Sequence, residues 1–185
     1  MSIIITEQNE ESLDSKDVCL IFDDIDENMS NYVVSFLLER EYKNKKPEFV
    51  KIFINSCGGG VNNSFAIIDV MNSVSFPVHT YGIGEVYSAA LFIFMSGAQG
   101  NRFLLPNTSI LSHQWSGSNE GKKHEIEATE KENKLISKRI LKHYEKCTGL
   151  SLEEINKNLL PTSDVYLTAK EAINFGLADK IIKKL

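Results

Sequence analysis

An α/β architecture is what this sequence predicts, on three observations. Short apolar runs of strand length alternate with segments whose apolar residues recur at helical spacing. Turns containing glycine, asparagine and serine separate them and carry polar groups, which is where α/β folds place ligands. Composition suits one globular domain with a sizeable core: 185 residues, 42% apolar and 24% charged.

Residues 1–17 are polar after Ile3-Ile4-Ile5 and read as a mobile N-terminal arm, which leaves 18–185 as a single domain. Val18 to Phe22 is an apolar run of strand length. Asp24 to Ser30 is rich in acids and asparagine, and Ser30 is placed to cap a helix in which Tyr32, Val33, Phe36, Leu37 and Leu38 repeat. Lys43 to Pro47 breaks that helix. Phe49 to Ile54 reads as a buried strand and Cys57-Gly58-Gly59-Gly60 as a sharp turn. Asn62 or Asn63 then caps a helix through Ala66, Ile67, Val70 and Met71. Val78 to Ile83 is strand again, and Ser88 opens an apolar helix through Met95. Phe103 to Asn107 is strand or turn, Ser109 to Ser112 strand. A long charged helix runs from about Lys122 to Cys147. Thr168-Ala169-Lys170-Glu171 is a capping-box pattern at the start of a helix over Leu167 to Phe175. Gly176 ends it, and Leu177 to Ile182 returns to the sheet.

A net charge of −5 and a pI near 5.4 exclude a basic nucleic-acid binder. Cys19, Cys57 and Cys147 are too scattered for a disulfide framework or a zinc site, so no metal and a reducing compartment are expected. The N-terminus lacks the basic start of a signal peptide. The longest mostly apolar stretch, Ser88 to Ala98, is too short to span a bilayer. A cytoplasmic protein without nucleic-acid or membrane partners is the expectation.

Three segments carry chemistry. Asn55-Ser56-Cys57-Gly58-Gly59-Gly60 joins a strand to a helix; it is either a plain turn or one whose N–H groups meet an oxyanion. In Gly84-Glu85-Val86-Tyr87-Ser88-Ala89-Ala90 a serine enters an apolar helix. The helix dipole there favours developing negative charge, yet the same pattern fits a simple helix cap. Ala90 separates it from the G-x-S-x-G elbow. In Ser112-His113-Gln114-Trp115 a histidine ends an apolar strand, as a general base or as a half-buried structural residue. His79, His124 and His143 have no nucleophile motif beside them.

Taken together and in order, these segments resemble the proteolytic subunit of the Clp protease family, over about Val18 to Ile182. The likeness continues through Phe92 to Gly97, Gly100-x-Arg102-Phe103-x-Leu105-Pro106-Asn107, His113-Gln114, and Asp164-Val165-Tyr166-Leu167-Thr168-Ala169-x-Glu171-Ala172. It closes with Phe175-Gly176-Leu177-Ala178-Asp179. The resemblance implies a crotonase-like fold of repeated ββα units with a protruding handle helix and strand at about 115–148. It implies a serine endopeptidase with Ser88 as nucleophile, His113 as base and Asp164 as the orienting acid. The oxyanion donors fall on the backbone N–H groups of Gly59 and Ala89. It also implies heptameric rings, stacked as a tetradecamer. The partner is a hexameric AAA+ Clp unfoldase that hydrolyses the ATP, and the substrates are peptides or unfolded proteins. No cofactor is expected on this chain itself.

Several positions depart from the family pattern. Cys57 replaces a proline, Tyr87 a small residue, Ala90 a glycine, and Ser163 an arginine at the ring–ring interface. Lys51 and Ser73 replace aromatic residues where unfoldase loops dock. These keep a weakly active or non-catalytic ring subunit as the alternative. A crotonase-type acyl-CoA enzyme does not fit, because no glutamate pair is placed for that chemistry.

Overall fold

The computed structural model describes residues 17–185; the expected arm lies almost wholly outside them. Strand β1 (Val18–Ile21) buries Cys19 and Ile21 and turns Leu20 outward, the period of two that one covered face imposes. Parallel to it runs β2 (Val50–Ser56), whose Val50, Ile52 and Ile54 are fully buried. Helices α1 (Glu27–Glu41), α2 (Val61–Ser73) and α3 (Ala89–Met95) alternate with the early strands. Every residue of α3 is buried, so its run of apolar side chains is core.

Two expected caps are corrected. Asp26, not Ser30, caps α1: its Oδ1 accepts the Met29 N–H at 2.8 Å, and a carboxylate suits the positive end of the helix. Ser30 lies inside the helix and donates to the Asn63 carbonyl at 3.3 Å. Neither Asn62 nor Asn63 caps α2. The helix starts directly from Gly60 with no side-chain cap, because the glycine turn delivers the chain already in place.

Strand β3 (Val78–Tyr87) is longer than expected and does two jobs. Its first half pairs in parallel with β4 (Arg102–Leu104) through Thr80–Gly82, its second half with β5 (Ser109–Ser112) through Glu85–Tyr87. The change of direction falls at Gly84, at φ 64°, where an added Cβ would lie 2.5 Å from Asn55 Oδ1. That same oxygen accepts the Glu85 N–H at 3.1 Å, and the β2–β3 register shifts between Ile54 and Ser56. Beyond the kink, β5 also pairs antiparallel with β6 (Val165–Thr168), while β7 (Lys180–Ile181) pairs with β4. Seven strands thus share one sheet.

The long charged helix is α4 (Lys123–Thr148), 26 residues. Its buried residues, Ile136, Ile140, His143 and Tyr144, all fall in the second half, so the first half stands clear of this chain's core. The strand expected beside it is not formed within the chain: residues 113–122 join no ladder. Helix α5 (Leu152–Asn158) and strand β6 were not expected. The first has a legible start in the capping box of Ser151 and Glu154. Strand β6 takes Leu167 and Thr168 from the expected helix, and α6 (Ala169–Asn174) begins after Thr168.

An ion pair between buried Arg102 and half-buried Asp179 ties the far end of the sheet together. Arg102 donates from Nε and Nη2 to Asp179 at 2.9 and 2.6 Å, and from Nη1 to the Cys147 carbonyl at 3.0 Å. Burial alone would raise the Asp179 carboxyl, but the bonds from Arg102 outweigh it and hold it below the usual range. A depressed folded-state pKa contributes stability above the unfolded value and loses it as pH falls through the folded one. Arg102→Ala is therefore expected to lose about 1–3 kcal/mol at neutral pH, because it strips a half-buried carboxylate of its charge-assisted hydrogen bonds. Urea unfolding checks this. The gap between variant and wild type should narrow as pH falls below the usual carboxylate range and Asp179 takes up its proton.

Candidate active site

Strand β5 brings the expected site residues together. On one side it pairs with β3, which ends at Tyr87; the Ser88 N–H then donates to the Leu111 carbonyl at 3.0 Å. On the other side it pairs with β6, and the last rung joins Ser112 to Val165. One step further along this antiparallel register, His113 faces Asp164. His113 Nδ1 and Asp164 Oδ1 are 3.9 Å apart, a separation longer than a hydrogen bond.

Ser88 has an unusual backbone. Its φ is 53° and ψ −121°, and it is the one non-glycine residue with positive φ among the described residues. Such a conformation costs about 1–3 kcal/mol and persists only where the surroundings enforce it. The hydroxyl makes no cap bond to α3, so the helix-cap reading does not account for this serine. No hydrogen bond joins Ser88 to His113 among the described residues. Such contacts are often long before substrate binds.

The glycine turn is pressed against Ser88. Ser56 Oγ donates to the Asp23 carbonyl and accepts from Gly58 N–H, at 2.6 and 3.1 Å. Ile25 N–H donates to the Gly58 carbonyl at 2.7 Å, and Gly60 N–H to the Ile25 carbonyl at 2.8 Å. Among the described residues, those bonds leave the Gly59 N–H without an acceptor, and the Ala89 N–H, at the first position of α3, is also unbonded. Two unpaired donors beside a serine at a helix start form an environment suited to a developing oxyanion.

Cys57 is exposed near this turn, and its chemistry can be judged. The thiol donates to Asp24 Oδ1 at 3.0 Å, and that bond, with some burial and nearby carboxylates, pushes it up. A raised pKa keeps the thiol protonated and poorly nucleophilic. Tyr166 had no expected role, yet its ring packs edge-on against Tyr87 with centroids 6.0 Å apart. Register joins them through one row, Tyr87–Leu111–Tyr166, and the period of two from Asp164 was the available signal.

Elsewhere, a cavity of about 560 Å³ lies at the opposite end of α3, lined in part by Ser96, Arg102, His143, Lys146 and Cys147. Its groups are already committed. His143 Nε2 lies 2.9 Å from the Phe92 carbonyl, and burial pushes the Cys147 thiol up to about 11. Among the described residues, no group of three or more His, Cys, Asp or Glu is placed to hold a metal ion. No helix there is long and apolar enough to cross a membrane.

Comparison with known proteins gives these features a class. The chain has a crotonase-like α/β fold. A mutant form of ClpP1 from Listeria monocytogenes superimposes with a TM-score of 0.80 at 32% identity, covering 91% of this chain and 92% of that one. The Clp protease family model matches residues 6–185, and the chain belongs to that family. It is a Clp-type protease subunit, a hydrolase of the peptidase class.

Gly58 is the position most sensitive to change. It has φ 103°, and an added Cβ would lie 2.7 Å from the Tyr87 carbonyl oxygen and 2.8 Å from Ser88 Cβ. Gly58→Ala is expected to cost about 1–3 kcal/mol and to push the Ser88 turn out of place. The unfolding midpoint and the rate of Ser88 labelling by a fluorophosphonate, measured together, check both parts.

Proposed function

We propose that this chain is a serine endopeptidase, with Ser88 as nucleophile, His113 as general base and Asp164 as the acid that orients the histidine. The observation that carries the reading is Ser88 itself: a strained, uncapped serine at the start of a buried helix, beside a strand that also presents His113 opposite Asp164. Strain of this kind at a polar residue needs a reason, and a side chain aimed at substrate supplies one.

The chemistry follows from these positions. His113 takes the Ser88 proton as the hydroxyl oxygen attacks a peptide carbonyl, and Asp164 holds the imidazole in the right tautomer and stabilises its cation. The Gly59 and Ala89 N–H groups receive the oxyanion of the tetrahedral intermediate. His113 then protonates the leaving amine. Water, deprotonated by the same histidine, attacks the acyl-serine and frees Ser88. No cofactor enters.

In this reading the subunits assemble into heptameric rings stacked as a tetradecamer, in the cytoplasm. A separate hexameric AAA+ unfoldase hydrolyses ATP and feeds unfolded protein. The polar outer half of α4 suits a contact with another subunit. Fluorophosphonate labelling tests the core of the proposal: wild type is expected to label, and Ser88→Ala is not. Absence of labelling in both would overturn it in favour of a non-catalytic ring subunit.

Unfoldase docking is expected to be weakened. Across the sheet, Phe53, Tyr81 and Phe103 form a stacked row with centroids 4.7 and 4.9 Å apart. Lys51 places its ammonium 5.5 Å from the Tyr81 centroid, where the family has an aromatic ring. An apolar loop docking there must desolvate that charge and loses an aromatic contact, and Ser73 loses another. Each loss costs about 1–3 kcal/mol. Peptide hydrolysis without stimulation of protein degradation by an added AAA+ unfoldase is the expected result; normal stimulation refutes it.

A further inference from the structure

We propose that Ser112 and Gln114, the two neighbours of His113, are positioning residues that hold the Asp164 segment against the histidine. The proposal rests on the triad reading above and deepens it. Its starting point is a weakness. The contact between His113 and Asp164 spans 3.9 Å, and the two side chains are 25% and 58% exposed. An exposed pair at that distance does little to fix either partner. Something else must set their geometry.

Two hydrogen bonds on either side of His113, one buried and one part-buried, do so. Ser112 Oγ donates to the Leu159 carbonyl at 2.6 Å, and Gln114 Nε2 donates to the Leu160 carbonyl at 3.0 Å. These are successive carbonyls just past α5, where helix ends leave acceptors unpaired. Ser112 also lies 2.7 Å from the Tyr144 hydroxyl. A serine hydroxyl has one proton, and Leu159 receives it, so Tyr144 is the donor in that second bond. Ser112 and Tyr144 are both fully buried, where such a network is stiff and costly to leave incomplete.

The consequence is topological. The segment 161–164 is tethered at both ends to residues that touch His113 in sequence. At 159–160 the tether is the side chains of Ser112 and Gln114; at 165 it is the Ser112–Val165 rung. Pro161 stiffens the short span between the tethers. Asp164 is therefore held by strand β5 itself rather than by its own bond to the histidine.

The test uses the assembled full-length protein. Gln114→Met keeps length and removes the donor at a partly exposed site. Tyr144→Phe removes the donor to Ser112 without a change of volume. Ser112→Ala completes the set. Each is expected to lower kcat on a short fluorogenic peptide about tenfold with KM unchanged, the signature of a misplaced catalytic group. In an Asp164→Asn background the same substitutions should have almost no further effect, because they act through that residue. Full additivity there, or unchanged kcat in all three variants, overturns the proposal. Hydrogen exchange of the amides at 160–164 separates this from the triad reading. If wild type fails to label at Ser88 the triad reading falls. The tether then stands if exchange rises in the variants, and falls if it does not.

Discussion

The site depends on one placement: β5 lies between β3, parallel to it, and β6, antiparallel. A parallel neighbour delivers the end of β3, and so Ser88, alongside the end of β5. An antiparallel neighbour delivers the beginning of β6, and so Asp164, at that same end. No arrangement of two parallel neighbours would do this with these connections, because Asp164 precedes its strand while Ser88 follows its own. The kink at Gly84 is what permits it. By turning the second half of β3 away from β4, it opens an edge on which β5 can pair.

Strain and clamping are balanced around Ser88. The serine sits in a backbone conformation that an L-residue avoids, worth about 1–3 kcal/mol against folding. Opposing it are the Ser88–Leu111 backbone bond and the glycine turn, which Ile25 and Ser56 pin from the other side. Close packing explains the glycine at 58, since any Cβ would meet Ser88 directly. Among the described residues these clamps leave the Gly59 N–H without an acceptor. A donor held free in a pinned turn is available to a ligand at little cost in reorganisation.

Much of this was legible in the chain. Alternating apolar runs marked the parallel strands, and the Thr168–Glu171 pattern marked α6 because a capping box is a local device. The structure sets the glycine turn against Ser88 and Ala89, and His113 opposite Asp164. What was not legible depends on long-range pairing. Strand β6 has four residues and only Val165 and Leu167 facing inward, too short for a period of two to stand out from a helix start. The Ser30 cap failed because local sequence offered two capping residues and only packing against α2 chooses between them. The partners of Ser112 and Gln114 were invisible, since a carbonyl 46 or 47 residues away leaves no trace in spacing.

Helix α4 shows how such distant pairing links separate parts of the molecule. Its outer half is mostly polar, with Ile126 and Leu135 exposed, and contributes no buried residue to this chain's core. Its inner half carries Tyr144, wholly buried, whose hydroxyl donates to Ser112, one residue before His113. Burial pushes that phenol above its ordinary value, so it is a neutral donor around neutral pH. A hydrogen bond from a neutral donor does not switch with pH there. The end of β5 is therefore tied to α4 by a contact that only movement or truncation of the helix can alter.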